Sequence, residues 1–291
     1  MFAPKAKPGS FRRMPTDYEK EYDNRGRVPE HPEIFARWQR EAAAYRDGAL
    51  DGEFGLKYGP GARQSIDLFP AKDGDAPLAL FIHGGWWRSL DPSTFSQLAA
   101  GPNAHGIDVA VVGYDFCPQV SIATIVEEMR AACLWLWRRY RKRIFVYGWS
   151  AGGHLAACLL AQNWKAFAAD TPADLVPAAY AISGVFDLAP LVHVSQNADL
   201  RLDAAEARRL SPLFWKMPRG RTLDAVVGAL ESSEFLRQSH GIADAWGARG
   251  VATRYEEIAG ANHFTVVDPL ADPDSAMTRR VAQLAEMVSA R

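Results

Sequence analysis

The apolar run Ile144-Phe145-Val146-Tyr147 leads directly into Gly148-Trp149-Ser150-Ala151-Gly152, and an apolar segment of helical spacing follows. A strand that turns straight into a helix forces unusual backbone angles on the residue at the apex. Small neighbours let such a turn close, and Gly148 and Gly152 supply them, so Ser150 is left standing clear of the sheet edge. The helix start behind it aims free amides at negative charge. A G-x-S-x-G string alone arises by chance in roughly one chain of this length in ten, so the flanking strand and helix carry the reading. Upstream, Leu78-Ala79-Leu80-Phe81-Ile82 reads as a buried strand ending at His83-Gly84-Gly85-Trp86. Paired glycines allow close approach of backbone to a ligand. The amides of Gly84 and Gly85, with that of Ala151, are the candidate donors to an oxyanion. A nucleophile plus an oxyanion hole implies acyl-transfer chemistry.

The remaining periodicities predict alternating strands and helices over most of 291 residues, the pattern of an α/β domain with a mostly parallel sheet and helices on both faces. Strands are expected at 64–69, 78–82, 108–113, 144–147, 178–183, 223–228 and 252–258. Helices are expected at 32–46, 92–100, 121–141, 152–162, 233–249 and 275–290. Residues 1–60 are read as an N-terminal arm, irregular to about 30, with one helix and then a Gly-rich stretch from 47 to 61. The main α/β domain is placed at 61–291, interrupted by a cap-like excursion at about 187–220 that holds a short charged helix near 203–210.

A serine needs a base and an oriented imidazole. Of seven histidines, His263 alone follows a strand late in the chain, where the order serine, acid, histidine puts the base. His83 is read as pinning its loop and His154 as packing in the helix after Ser150. Glu231 is the first carboxylate beyond the 223–228 strand and is the chosen acid. Glu234 reads as a helix-start carboxylate, and Asp268 lies too near His263 in sequence. Trp86, Trp87 and Trp149 flank these motifs and are read either as aromatic walls for a flat substrate or as core. Tyr22, Asn24 and Arg25 are candidate substrate contacts if the arm folds over the site as a lid; a solvated arm or a dimer contact is the competing reading.

Formal net charge is −1 with no long run of one sign, so nothing marks a nucleic-acid or anionic-lipid partner. No apolar run is long enough to span a bilayer. The basic start, with Lys5, Lys7, Arg12 and Arg13, lacks a secretory pattern. Cys117, Cys133 and Cys158, an odd count in apolar surroundings, fit buried thiols in a reducing, cytoplasmic setting. No metal spacing and no organic cofactor motif is visible. The partner expected is a small-molecule substrate, with a homodimer left open.

The set His83-Gly-Gly-Trp-Trp87, Gly148-Trp-Ser-Ala-Gly-Gly-His154-Leu, Ser183-Gly-Val-Phe-Asp187-Leu, Glu231-Ser-Ser-Glu-Phe-Leu-Arg-Gln-Ser239 and Asn262-His263-Phe264 resembles the α/β-hydrolase fold. Within it the chain is most similar to the kynurenine formamidase branch, near the hormone-sensitive-lipase-like esterases. Tyr114 with Cys117-Pro118 also matches that branch, and the likeness covers about residues 64–290. The resemblance implies Ser150 as nucleophile, Glu231 as acid, His263 as base and an aryl formamide as substrate. The branch usually has Asp where Glu231 stands, and often His where Trp149 stands. These departures bear on the substrate more than on the reaction. Two alternatives are weighed: a carboxylesterase of short-chain or aryl esters, and a ligand-binding relative with a dead site.

Overall fold

The structure, a computed structural model, describes residues 16–72 and 74–290; the four N-terminal basic residues named above lie outside them. Among the described residues, eight strands form one sheet in the order β1-β2-β4-β3-β5-β6-β7-β8. They span β1 Glu53–Lys57, β2 Ser65–Phe69, β3 Leu78–Ile82, β4 Asp108–Val112, β5 Ile144–Trp149, β6 Ala178–Ile182, β7 Thr222–Gly228 and β8 Ala252–Ile258. β2 runs antiparallel to β1 and β4, and every pairing from β4 to β8 is parallel.

Eleven α-helices are described. They are α1 Tyr18–Tyr22, α2 Asn24–Arg27, α3 His31–Gly48, α4 Ala100–Ala104, α5 Ile122–Tyr140, α6 Ala151–Leu160, α7 Trp164–Phe167, α8 Asn197–Leu200, α9 Ala204–Arg209, α10 Ser233–Gly247 and α11 Ala276–Ser289. β3, β5 and β6 are buried at every position, which is why they read as unbroken apolar runs. Their side chains alternate between two cores. Leu80, Val146 and Ala181 meet α5, α6 and α10 on one face. Phe81, Tyr147 and Tyr180 meet α3 and α11 on the other. Several helix starts are fixed by side-chain caps: Ser121 accepts the Thr124 amide at 3.1 Å, Ser275 that of Thr278 at 3.0 Å, and Asp203 that of Glu206 at 2.7 Å.

Three expectations need correction. Residues 16–30 are not irregular: Asp17 and Asp23 cap α1 and α2 by accepting the Lys20 and Gly26 amides. Within the Gly-rich stretch assigned to the arm lies β1, an edge strand of the main sheet. It escapes the period-2 pattern because it is half-exposed and its register shifts between Glu53 and Leu56. Its place is fixed by Asp67, which accepts the Gly55 amide at 2.8 Å and faces Arg46 at 2.5 Å. The segment Pro92–Ala99 is 3-10 helix rather than α-helix, and α4 continues it. No helix among the described residues is long and apolar enough to cross a membrane.

Candidate active site

The parallel strands all end on the same side of the sheet, and β5, β7 and β8 deliver the three site residues from their carboxyl ends. Ser150 sits between β5 and α6 with φ of 56°, a left-handed backbone that costs a non-glycine residue about 1–2 kcal/mol. The surroundings enforce it. Ser150 donates its amide to Ile182 O at 2.8 Å, and its carbonyl accepts the His154 amide at 3.1 Å. Gly152 is required here: a Cβ on it would lie 1.9 Å from the Ile82 carbonyl oxygen, so α6 can press on β3 only without one.

Ser150 Oγ donates to His263 Nε2 at 3.1 Å, and His263 Nδ1 donates to Glu231 Oε2 at 2.6 Å. The other oxygen of Glu231 accepts from Ser183 Oγ at 2.5 Å and from the Gly228 amide at 2.7 Å. The Glu231 side chain is 0% exposed. Each carboxylate oxygen is therefore committed, and the imidazole is held with its proton on Nδ1 and its lone pair toward Ser150. The extra methylene of Glu over Asp is absorbed by a turn in which the Glu231 amide donates back to Gly228 O at 3.0 Å.

His263 is placed by its own loop. Asn262 Oδ1 accepts the Phe264 and Thr265 amides at 2.9 and 3.0 Å, an Asx turn that points the intervening side chain inward. Trp149 Nε1 donates to the His263 carbonyl at 2.8 Å, and the Phe235 ring lies 4.5 Å from the imidazole. Glu234 and Asp268 are engaged elsewhere. Glu234 pairs with Arg237 at 2.8 Å, and Asp268 takes Arg37 at 2.6 Å and Trp38 Nε1 at 2.9 Å.

The loop after β3 turns through Gly85, Trp86 and Trp87, all at positive φ. Its carbonyls are pinned. Tyr114 Oη donates to His83 O at 3.0 Å and Gly84 O at 3.3 Å, and His83 Nδ1 donates to Gly84 O at 2.6 Å. In a trans peptide the N–H points opposite to the C=O, so the amides of Gly84 and Gly85 face away from Tyr114. Neither has a backbone or side-chain acceptor among the described residues. A Cβ on Gly84 would stand 3.0 Å from Ser150 Cβ and 2.6 Å from the Trp149 ring, so this loop lies against the serine. The Ala151 amide, first in α6, is free of intrahelical partners by position.

His83 and His154 are both structural, as expected. His83 stacks on Tyr114 at 4.5 Å, and His154 Nε2 donates to Leu210 O at 2.8 Å. Burial drives both imidazoles down to about 4, which keeps them neutral at physiological pH.

Ser150 and His263 open onto a narrow cleft of about 90 Å³, walled by Trp86, Trp149, Phe35 and Phe264. Trp87 is corrected: it is 1% exposed, does not line the cleft, and packs edge-on against His154 at 5.2 Å. Trp149 combines both readings, since its ring reaches the cleft while being 2% exposed against Trp38 and Phe95. Tyr22, Asn24 and Arg25 all line the cleft. The α1–α2 segment is stitched down by Glu21, which accepts Ser233 Oγ at 2.7 Å and the Glu234 amide at 3.0 Å. Glu19 takes Ser195 Oγ at 2.6 Å, and Gln238 Nε2 donates to Tyr22 Oη at 2.9 Å. From the 187–220 excursion, Gln196 reaches the cleft rim. Sequence reasoning assigned no role to Ser183 and Gln238. Ser183 directly follows β6, beside the acid loop, at φ of 51°, a position just past a strand end that could have flagged it. Gln238 gives no such signal.

A family model described as the alpha/beta hydrolase fold matches residues 79–267. A kynurenine formamidase of Salmo salar is 29% identical over 241 residues, 79% of this chain and 80% of the relative. That of Drosophila melanogaster is 27% identical, over 77% and 78% respectively. Among solved structures, a candidate thioesterase of Silicibacter sp. superposes with a TM-score of 0.82 at 29% identity, covering 91% of this chain and 99% of that one. An esterase of Pyrobaculum calidifontis gives 0.64 at 19% identity, over 89% and 92%.

Proposed function

This chain belongs to the alpha/beta hydrolase fold family, and from that premise we propose that it is an arylformamidase-type serine hydrolase that removes a small acyl group, formyl by preference, through an acyl-enzyme. The observation that carries the reading is the relay Ser150–His263–Glu231 at the foot of an aromatic cleft. In the first half-reaction His263 Nε2 takes the Ser150 proton as Oγ bonds to the formyl carbon, and the carbonyl π electrons move to oxygen. That oxyanion is received by the amides of Gly84, Gly85 and Ala151; one such donor is typically worth about 3 kcal/mol of barrier. His263 then returns the proton to the arylamine nitrogen as the C–N bond breaks. In the second half-reaction water, deprotonated by the same imidazole, releases formate and restores Ser150. Glu231 orients the imidazole and stabilises its charged form. Tyr22, Asn24, Arg25, Trp86 and Trp149 are proposed to contact the substrate, with residues 16–27 serving as a fixed cover over the site.

The formamide preference draws on the kynurenine formamidases of fish and fly and on the small free volume beside Ser150. The same chemistry serves an ester or thioester, and the likeness to the Silicibacter protein favours that as the second reading. Turnover of N-formylkynurenine compared with p-nitrophenyl acetate separates them. A kcat/KM for the formamide at or above that for the ester is expected; hydrolysis of the ester without the formamide would remove the formamidase assignment.

A further inference from the structure

The loop from β3 to the 3-10 helix Pro92–Ala99 holds Leu90 at φ of 75°. A bulky side chain rarely adopts that backbone, and where one does its surroundings must hold it there. They do so from both sides. Ahead of it, Gly85 O accepts the Arg88 amide at 3.0 Å and Ser89 Oγ at 2.9 Å. Behind it, Asp91 caps the 3-10 helix, accepting the Ser93 amide at 3.1 Å and Ser93 Oγ at 2.7 Å. The leucine held in this way is half-buried rather than sealed in the core. Among the described residues it is the only aliphatic side chain that lines the cleft, beside the rings of Trp86, Trp149, Phe35 and Phe264.

The fold of the loop sets where Leu90 stands relative to the reacting carbon. The chain doubles back so tightly that a Cβ on Gly85 would lie 2.2 Å from Ser89 O. Residue 90 therefore sits close to the glycine whose amide receives the oxyanion. A carbonyl carbon bonded to Ser150 Oγ carries three other substituents. Its oxygen faces the amides of Gly84, Gly85 and Ala151. Its leaving atom must meet His263 Nε2, which lies 3.1 Å from Ser150 Oγ. The third substituent, the acyl chain, is left the space along the loop, away from the imidazole.

We infer that Leu90 sets the size of the acyl group: its side chain closes the cleft beside the oxyanion loop, so a formyl hydrogen or an acetyl methyl is accepted and longer chains are refused. The cleft, of about 90 Å³, has little space to spare for a chain as well as a ring. A methylene too many or too few in an apolar pocket changes the rate by about 10–200-fold. This wall does not yield, because the backbone that carries it cannot relax without opening the Gly85 turn. The inference rests on the serine-hydrolase reading for the chemistry, yet it holds for ester and formamide alike, since the leaving group is not the part that meets Leu90.

The test compares p-nitrophenyl acetate with p-nitrophenyl hexanoate. These share a leaving group and differ only in the chain, so the ratio of their kcat/KM values reads the acyl side alone. The unaltered enzyme should favour acetate by at least about 100-fold. Leu90→Ala and Leu90→Gly should each bring the ratio to about tenfold or less, chiefly by raising kcat/KM for hexanoate. Leu90→Gly also releases the left-handed backbone, so it should melt no lower than Leu90→Ala and supplies a folded variant if the alanine form proves unstable. A leucine kept for packing alone would lower the melting temperature in both variants and leave the ratio where it was. A ratio that survives in a folded Leu90 variant, or an unaltered enzyme that takes hexanoate within about tenfold of acetate, would overturn the inference and leave the hydrolase reading standing. No turnover of either ester, with no formate released from N-formylkynurenine, would defeat the hydrolase reading and this inference with it.

Discussion

Replacing Glu231 by glutamine isolates what the carboxylate does, because the amide is isosteric and the surrounding donors are known. Glu231 Oε1 receives two hydrogens, from Ser183 Oγ and the Gly228 amide, and Oε2 receives one from His263. In Glu231→Gln only one end can accept. If the amide oxygen takes the Oε1 position, its NH₂ faces His263 Nδ1. The imidazole must then carry its proton on Nε2, directed at Ser150, and the base is lost. If the amide is flipped, the NH₂ opposes the Gly228 N–H, which cannot turn away. A buried donor without an acceptor costs about 1–3 kcal/mol, so the unproductive orientation holds by a factor of roughly 5 to 150. Loss of the negative charge that stabilises imidazolium adds to this. In a triad of this type the amide exchange lowers kcat by about 10⁴, and a fall of at least about 10³ is expected here. The assay is kcat on p-nitrophenyl acetate with the circular dichroism spectrum and melting temperature as controls for folding. A folded Glu231→Gln protein keeping more than about a tenth of kcat would refute the assignment of Glu231 as the imidazole's partner.

Other outcomes follow from the same geometry. Gly152→Ala would bring a Cβ to 1.9 Å from the Ile82 carbonyl oxygen, a backbone clash that no rotamer relieves. It should abolish soluble expression or cost well over ~3 kcal/mol in urea unfolding, whereas near-normal stability would show that the elbow is looser than described. Stability should also fall on acidification. His83 and His154, at about 4 in the folded chain against an ordinary 6.5, stay neutral while the unfolded chain takes up protons. Their contribution is whole above about pH 6.5 and drains away as pH drops toward 4, by roughly 3 kcal/mol for each imidazole. His154→Gln should lower the pH slope of the unfolding free energy between pH 6 and 4.5 by close to one proton; an unchanged slope would contradict the burial argument.

What the sequence disclosed was whatever rests on periodicity and on motifs of fixed local shape. β3 and β8 were bounded to the residue, and the helices expected from 121, 203 and 275 begin one residue later, at Ile122, Ala204 and Ala276. Ser150, His263 and Glu231 could be singled out because a serine relay would demand a strand–turn–helix, a late histidine loop and an acid between them, and the structure brings these three side chains together. The misses share a cause in tertiary context. β1 is an edge strand whose register is set by Asp67 and Arg46, partners distant in sequence. Trp86 and Trp87 are adjacent and alike in type, yet successive positive-φ residues turn one to the cleft and the other to His154. The N-terminal segment reads as polar and irregular because it is held down by Glu19, Glu21 and Tyr22 reaching Ser195, Ser233, Glu234 and Gln238, contacts that leave no periodic trace.

The central claim is that the Ser150 hydroxyl is made nucleophilic by His263, and its most direct test is covalent trapping. The protein is incubated with an aryl fluorophosphonate and its peptides are read by mass spectrometry. A single adduct on Ser150 is predicted, absent in Ser150→Ala and formed at least about 100-fold more slowly in His263→Ala. Folded protein that takes up no label, or labels at the same rate without His263, would contradict it.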